Sequence, residues 1–176
     1  MCNCNKRKAP APAAPPPQGP LVPHTMPAPA VVPEISIPTV DTSVWGATLW
    51  KVLHTASVFT GRRNHIPLWR NLLAALKTGI PCPECSAHYN SWVSRNTLHF
   101  SMIMVGNNIQ GPVLRWVLNL HNDVNLRTGS AWGTWNVNQV TDTYRDLAGA
   151  KAALATLQGI IGPAAWDAAQ ALLNSL

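Results

Sequence analysis

At 176 residues, 47% of them hydrophobic and only 11% charged, the chain has room for one cored domain with arms and is too apolar for a disordered polymer. The net charge of +6 comes from thirteen Lys and Arg against seven Asp and Glu, scattered apart from Lys6-Arg7-Lys8 and Arg62-Arg63. That distribution reads as a solvated basic surface and argues against a nucleic-acid stripe, no stretch reaches the length of an apolar membrane span, and prolines break any apolar run behind the basic N-terminus, so no secretory signal is expected.

Residues 1–40 hold eleven of the sixteen prolines, mixed with alanine, and carry Cys2-Asn3-Cys4 at their tip. Proline fixes φ and removes a donor, so this segment is expected to be an extended, flexible arm. The four cysteines fall in two tight pairs, Cys2/Cys4 and Cys82/Cys85. A structural disulfide framework closes long loops; pairs this close point instead to redox chemistry or to metal ligands.

The remainder predicts an all-α domain. Asp41-Thr42-Ser43 offers N-caps for a first helix over 44–60, with one apolar stripe (Leu49, Val52, Leu53, Ala56, Phe59). On a second face Gly46, Trp50 and His54 fall at i, i+4 and i+8, which suits either an edge tryptophan beside a solvated histidine or a ligand surface. Pro67 opens a second helix over 67–77, with Leu68, Leu72 and Leu76 in step and Trp69 beside them, and Gly79 stops it. A third helix starts at the dithiol, with Cys82 at the N-cap, Pro83 at N1 and Glu84 in the first turn, and runs to Arg95.

The connection from Asn96 to Gly111 contains an apolar run, Phe100 to Val105, that fits a strand or a helical turn equally well. Pro112 begins a fourth helix over 112–127, with Val113, Val117, Leu120 and Val124 on its core face, His121, Asn122 and Asn125 together on another, and Gly129 as its stop. A tryptophan-bearing loop (Trp132, Trp135) leads to a short helix around 138–148. Two alanine-rich segments, 149–161 and 163–176, then form a helical hairpin expected to dock on the domain or on a partner. The expected division is an arm over 1–40, a domain over 41–148 and a helical extension over 149–176.

The Ile80-Pro-Cys-Pro-Glu-Cys-Ser-Ala-His88 stretch carries the chemistry. A structural zinc site needs four ligands; the second cysteine pair sits at the tip of an arm and His88 is the one imidazole nearby, so no metal is expected. A thioredoxin-like arrangement needs strands around the motif, which the sequence lacks. A helix start stabilises a thiolate, and on that ground alone Cys82, at the cap, is the activated sulfur. A dithiol collects two electrons but needs a cofactor to pass them to oxygen quickly.

Three motifs in order, Trp50-Lys-Val-Leu-His54, Pro81-Cys-Pro-Glu-Cys-Ser-Ala-His88 and Trp116-Val-Leu-Asn-Leu-His-Asn-Asp-Val-Asn125, resemble the FAD-linked sulfhydryl oxidases of the Erv/ALR type over about residues 44–144. The resemblance implies a four-helix bundle with a short fifth helix that cradles FAD, lined by Gly46, Trp50, His54, His88, His121, Asn122, Val124 and Asn125. Arg127 is a candidate phosphate contact and Trp135 a neighbour of the adenine. The resemblance also reverses the emphasis on the sulfurs: Cys85 lies against the flavin and Cys82 exchanges with incoming thiols. Cys2 and Cys4 are the expected shuttle pair, with a chance pair in a low-complexity tail or a metal-binding nub as the alternatives.

The activity so implied is oxidation of protein dithiols to disulfides, with electrons passing through Cys82/Cys85 and FAD to oxygen to give hydrogen peroxide. A homodimer through the apolar faces of helices one and two is expected too. The rival reading is a structural or assembly protein, for example of a virion, that keeps the fold and binds neighbours through its arm and hairpin. Without a secretory signal, the expected setting is a virion or host cytoplasm for a viral member, and the mitochondrial intermembrane space otherwise. The chain departs from the family after Asn125, where Ser130-Ala-Trp132 replaces a basic Gly-Lys-Pro-like turn and only Arg127 and Gly129 remain.

Overall fold

The computed structural model describes residues 40–99 and 108–176, and every regular element among them is a helix. In chain order these are α1 (Thr42–Phe59), α2 (His65–Gly79), α3 (Pro83–Arg95), α4 (Gln110–Thr128), α5 (Val137–Thr143), α6 (Leu147–Thr156) and α7 (Pro163–Ser175). The expected all-α architecture is present: four long helices, a short fifth, and a C-terminal hairpin of α6 and α7. The proline-rich arm with Cys2 and Cys4, and the run from Phe100 to Val105, lie outside the described residues. None of the described helices is long and apolar enough to cross a membrane.

Local chemistry accounts for the helix ends. Asp41 caps α1 by accepting the Ser43 amide at 2.9 Å, and Asn136 and Gln139 form a reciprocal capping box on α5. Gly129 closes α4 at φ 65°, a left-handed conformation that favours glycine. Two starts differ from the sequence reading in the same way. Both α2 and α4 begin two residues before their prolines, which places Pro67 and Pro112 at the third helical position. The amide there has no partner inside the helix, so proline costs nothing in hydrogen bonding. The short helix ends at Thr143, five residues earlier than expected, and the boundary expected at 148 falls inside α6.

One large core joins the bundle to the hairpin. Val52, Ala56, Trp69, Leu72, Val113, Leu157, Ala169 and Leu172 in it are fully buried. Trp69 satisfies its indole N–H on the Thr60 hydroxyl at 2.8 Å and Tyr89 donates to the Leu73 carbonyl at 2.8 Å, as buried polar tips must. Burial pushes the Tyr89 phenol above its usual range. A smaller cluster of Leu114, Leu118 and Val140 holds α5 onto α4. Phe59 is a correction to the α1 stripe: at the last turn, it is 41% exposed.

The hairpin docks on its own chain, α6 along α1 and α7 along α2. It meets the end of α2 at a glycine seam, where the Gly162 amide donates to the Gly79 carbonyl at 2.8 Å. The apolar face of α2, through which a homodimer was expected to form, is therefore already covered by α7. A Cβ on Gly79 would come within 2.5 Å of the Ala165 Cβ, whereas one on Gly61 would meet nothing within 4 Å. Gly79→Ala is expected to lower unfolding free energy by about 1–3 kcal/mol through overpacking, and Gly61→Ala to stay within about 0.5 kcal/mol of the parent. Denaturant unfolding of the two variants side by side checks this; equal midpoints would mean that the seam is slack.

Candidate functional site

The site is built outward from the start of α3. Cys82 keeps an extended backbone at φ −131° and ψ 114° and turns its sulfur back to accept the Cys85 amide at 3.1 Å. Pro83 follows at the first helical position and Glu84 places an acid in the first turn, both favourable at a helix N-terminus. One turn of helix is the separation a disulfide can span, and Cys82 and Cys85 are bonded. The two sulfurs are not equivalent. Cys82 belongs to the core, at 7% exposure, while Cys85 is half-buried and forms part of a cavity wall.

That cavity, of about 280 Å³, lies between α1, α3 and α4. Its walls are mainly apolar, from Trp45, Leu49 and Leu53 of α1, Leu76 of α2 and Leu120 of α4, with Cys85, His88 and Arg127 as its polar edge. Gly46, Trp50 and Val124 line it as well. Two polar bridges cross from α3 to α4 beside it: His88 Nε2 meets Asp123 Oδ2 at 2.8 Å, and Arg127 Nη1 meets Glu84 Oε1 at 3.1 Å.

Behind Trp50 the aromatic groups stack. Trp50 lies on His121 with ring centroids 4.2 Å apart, Tyr144 lies on His54 at 4.7 Å, and Trp135 flanks His121 at 6.2 Å. The two imidazoles share one hydrogen bond, His54 Nε2 to His121 Nδ1, at 2.8 Å. Burial drives His54 down to about 3, with the nearby His121 adding to the effect, and burial drives His121 down to about 4. Both are therefore neutral near pH 7, as a buried pair sharing one proton must be. The other ring nitrogen of His54, Nδ1, is buried with no protein partner.

Thus Gly46, Trp50, Cys85, His88, Val124 and Arg127 meet around the cavity, while His54 and His121 stand in the stack behind it. Asn122 and Asn125 work on the protein itself. The Asn122 amide group donates to the Trp135 carbonyl and accepts the Trp135 N–H, both at 2.8 Å, and Asn125 donates to the Gly133 carbonyl at 2.9 Å. Together they pin the tryptophan loop onto α4. Arg127, expected at phosphates, meets the Glu84 carboxylate within the Cys-x-x-Cys segment. Cys2 and Cys4 lie outside the described residues.

Trp45, Tyr144 and Asp123 were missed by sequence reasoning. Trp45 was findable, since it stands four residues before Leu49 on the α1 core face. Tyr144 and Asp123 gave no local signal, because their partners are 90 and 35 residues away in sequence.

Residues 47–145, more than half of the chain, match the family model described as the Erv1 / Alr family. No curated protein and no solved structure matches the chain.

The neutral histidine pair has a stability consequence. In the unfolded chain both rings titrate near 6.5; folded, they bind protons only at lower pH. The unfolded state therefore takes up more protons as pH falls below about 6.5, and stability present above that pH is lost progressively toward pH 4. Each ring contributes a slope of at most about 1.4 kcal/mol per pH unit. His65, also lowered by burial, acts in the same direction. The denaturation midpoint is expected to fall between pH 6.5 and 4.5, and His54→Asn to flatten that fall; an unchanged slope in the variant would place the lost stability elsewhere.

Proposed function

The chain belongs to the Erv1/Alr family, and on that premise we propose that it is an FAD-linked thiol oxidase that makes disulfides in protein dithiols and reduces oxygen to hydrogen peroxide. One observation carries this reading: Cys85, bonded to the helix-capping Cys82, forms part of the wall of an apolar cavity between α1, α3 and α4. The residues present fit a flat aromatic cofactor. The cavity is walled by tryptophan and leucine, and the buried, unpartnered Nδ1 of His54 stands in the adjoining stack as a polar group in need of a partner. Trp50, Val124 and Gly46 would hold the isoalloxazine, with His88 and Arg127 at its polar edge.

The chain's own chemistry is thiol–disulfide exchange. A substrate thiolate attacks Cys82 Sγ, the Cys82–Cys85 bond breaks, and Cys85 leaves as a thiolate with the electron pair. The N-terminal end of α3 favours that thiolate through its free amides and partial positive charge. A second substrate thiol then displaces Cys82, which completes the substrate disulfide and leaves a reduced pair. Because Cys82 is only 7% exposed, exchange begins with a local opening of the turn from Ile80 to Cys82. FAD, when bound, supplies the two-electron acceptor that restores the disulfide and returns the electrons to oxygen.

The purified protein is expected to be yellow and to consume oxygen on addition of dithiothreitol, and Cys85→Ser to abolish oxygen uptake while the variant still folds. A protein that takes up neither FAD nor oxygen overturns the reading. The arm's cysteine pair is assigned the role of delivering electrons to Cys82, because tethering raises its local concentration there. Joint replacement of Cys2 and Cys4 by serine is then expected to slow turnover of a folded protein dithiol more than that of dithiothreitol. Equal turnover of the protein dithiol with and without the pair removes the arm from the relay.

A further inference from the structure

His88 and Asp123 each stand in a motif that carried the family reading, and the bridge between them crosses from α3 to α4 one turn beyond Cys85. Cys85 and His88 are three residues apart on one helix, so their side chains share a face, and both line the cavity. Asp123 reaches across from α4 and engages Nε2 of the ring at 2.8 Å. A carboxylate in that place accepts the Nε2 hydrogen, which fixes the ring's orientation and keeps a proton on that nitrogen. His88 is mostly enclosed, with 15% of its side chain exposed, whereas Asp123 is 44% exposed. The carboxylate thus reaches the ring from the solvent side, and the ring is confined enough to be held by a single partner.

We propose that Asp123 is a positioning residue that holds His88 beside Cys85, so that the imidazole takes up the proton released as the Cys85 thiolate forms. The inference rests on the exchange chemistry proposed above. When an incoming dithiol reduces the Cys82–Cys85 bond, two sulfur–hydrogen bonds of the substrate are lost, one substrate disulfide forms, and the protein pair gains two electrons. Two protons must be placed. A base beside Cys85 keeps one of them off the sulfur, and His88, carrying it as a cation neutralised by Asp123, stabilises the thiolate in return. The other charged groups on this side are Arg127, committed to Glu84 at 3.1 Å, and Glu84 itself; Tyr89 is kept protonated by burial. The faces of α1 and α2 that meet the cavity contribute no charge.

The test reads Cys85 directly and needs no oxygen turnover. In a Cys82→Ser background of the full chain, alkylation of Cys85 by iodoacetamide is followed against pH by mass spectrometry of its peptide. Asp123→Asn is expected to move the alkylation midpoint up by about one pH unit, the size of effect that loss of a close opposite charge produces, and Asp123→Glu to restore most of it. His88→Gln should give the same upward move, with Asp123→Asn adding nothing on top of it. A midpoint unchanged by Asp123→Asn, or a second upward move in the His88→Gln background, overturns the proposal. If the midpoint moves as expected in a protein that nevertheless takes up no oxygen, the oxidase reading fails and the positioning role stands.

Discussion

The hydrogen bond from the Cys85 amide to the Cys82 sulfur fixes where α3 begins, and the site is arranged around that start. Because Cys82 caps the helix, its backbone is extended and its sulfur turns inward; because Cys85 is in the first turn, it looks across to α1 and α4. The same start sets the phase of the rest of α3. Glu84 and His88, four residues apart, fall opposite Arg127 and Asp123, four apart on α4, so the two bridges run as an antiparallel pair with acid and base exchanged between rungs. A shift of one residue in the start of α3 would rotate Glu84, Cys85 and His88 by about 100° and separate the sulfur from the cavity and the ring from its carboxylate.

Two environments meet at Trp50. On one side the cavity is apolar with a redox-capable sulfur at its edge; on the other, two neutral imidazoles are enclosed among aromatic rings. The imidazoles are kept uncharged by the same burial that makes the stack compact. The asparagines of α4 serve this division indirectly. By clamping the loop that carries Trp135, Asn122 closes the far side of the stack, with both its amide oxygen and its amide nitrogen bonded to the Trp135 backbone.

What the sequence disclosed was what short-range periodicity can encode. Gly46, Trp50 and His54 at every fourth position, the cap at Cys82 and the polar face of α4 all follow from helical geometry, and the three motifs in order supplied the family. The prolines misled by two residues, since Pro67 and Pro112 are tolerated at any of the first few helical positions and so mark a helix start only loosely. The contacts that Asn122 and Arg127 make within the chain were not legible, because each depends on a partner brought close by tertiary packing, the Trp135 backbone in one case and Glu84 in the other. Phe59 kept the right phase for the core but stands at the helix end, where packing against other elements has run out.

The docked hairpin separates two meanings of the word domain. The stretch shared with the family ends at residue 145, yet Leu154, Leu157, Ile161, Leu172 and Leu173, beyond it, lie in the same core as Trp69 and Leu76 of α2. The inherited unit and the unit that excludes water are thus of different length. A fragment cut at the inherited boundary would retain every residue assigned to the chemistry while uncovering one side of a bundle helix. Such a fragment would be prone to self-association, and a dimer observed with it would say little about the intact chain.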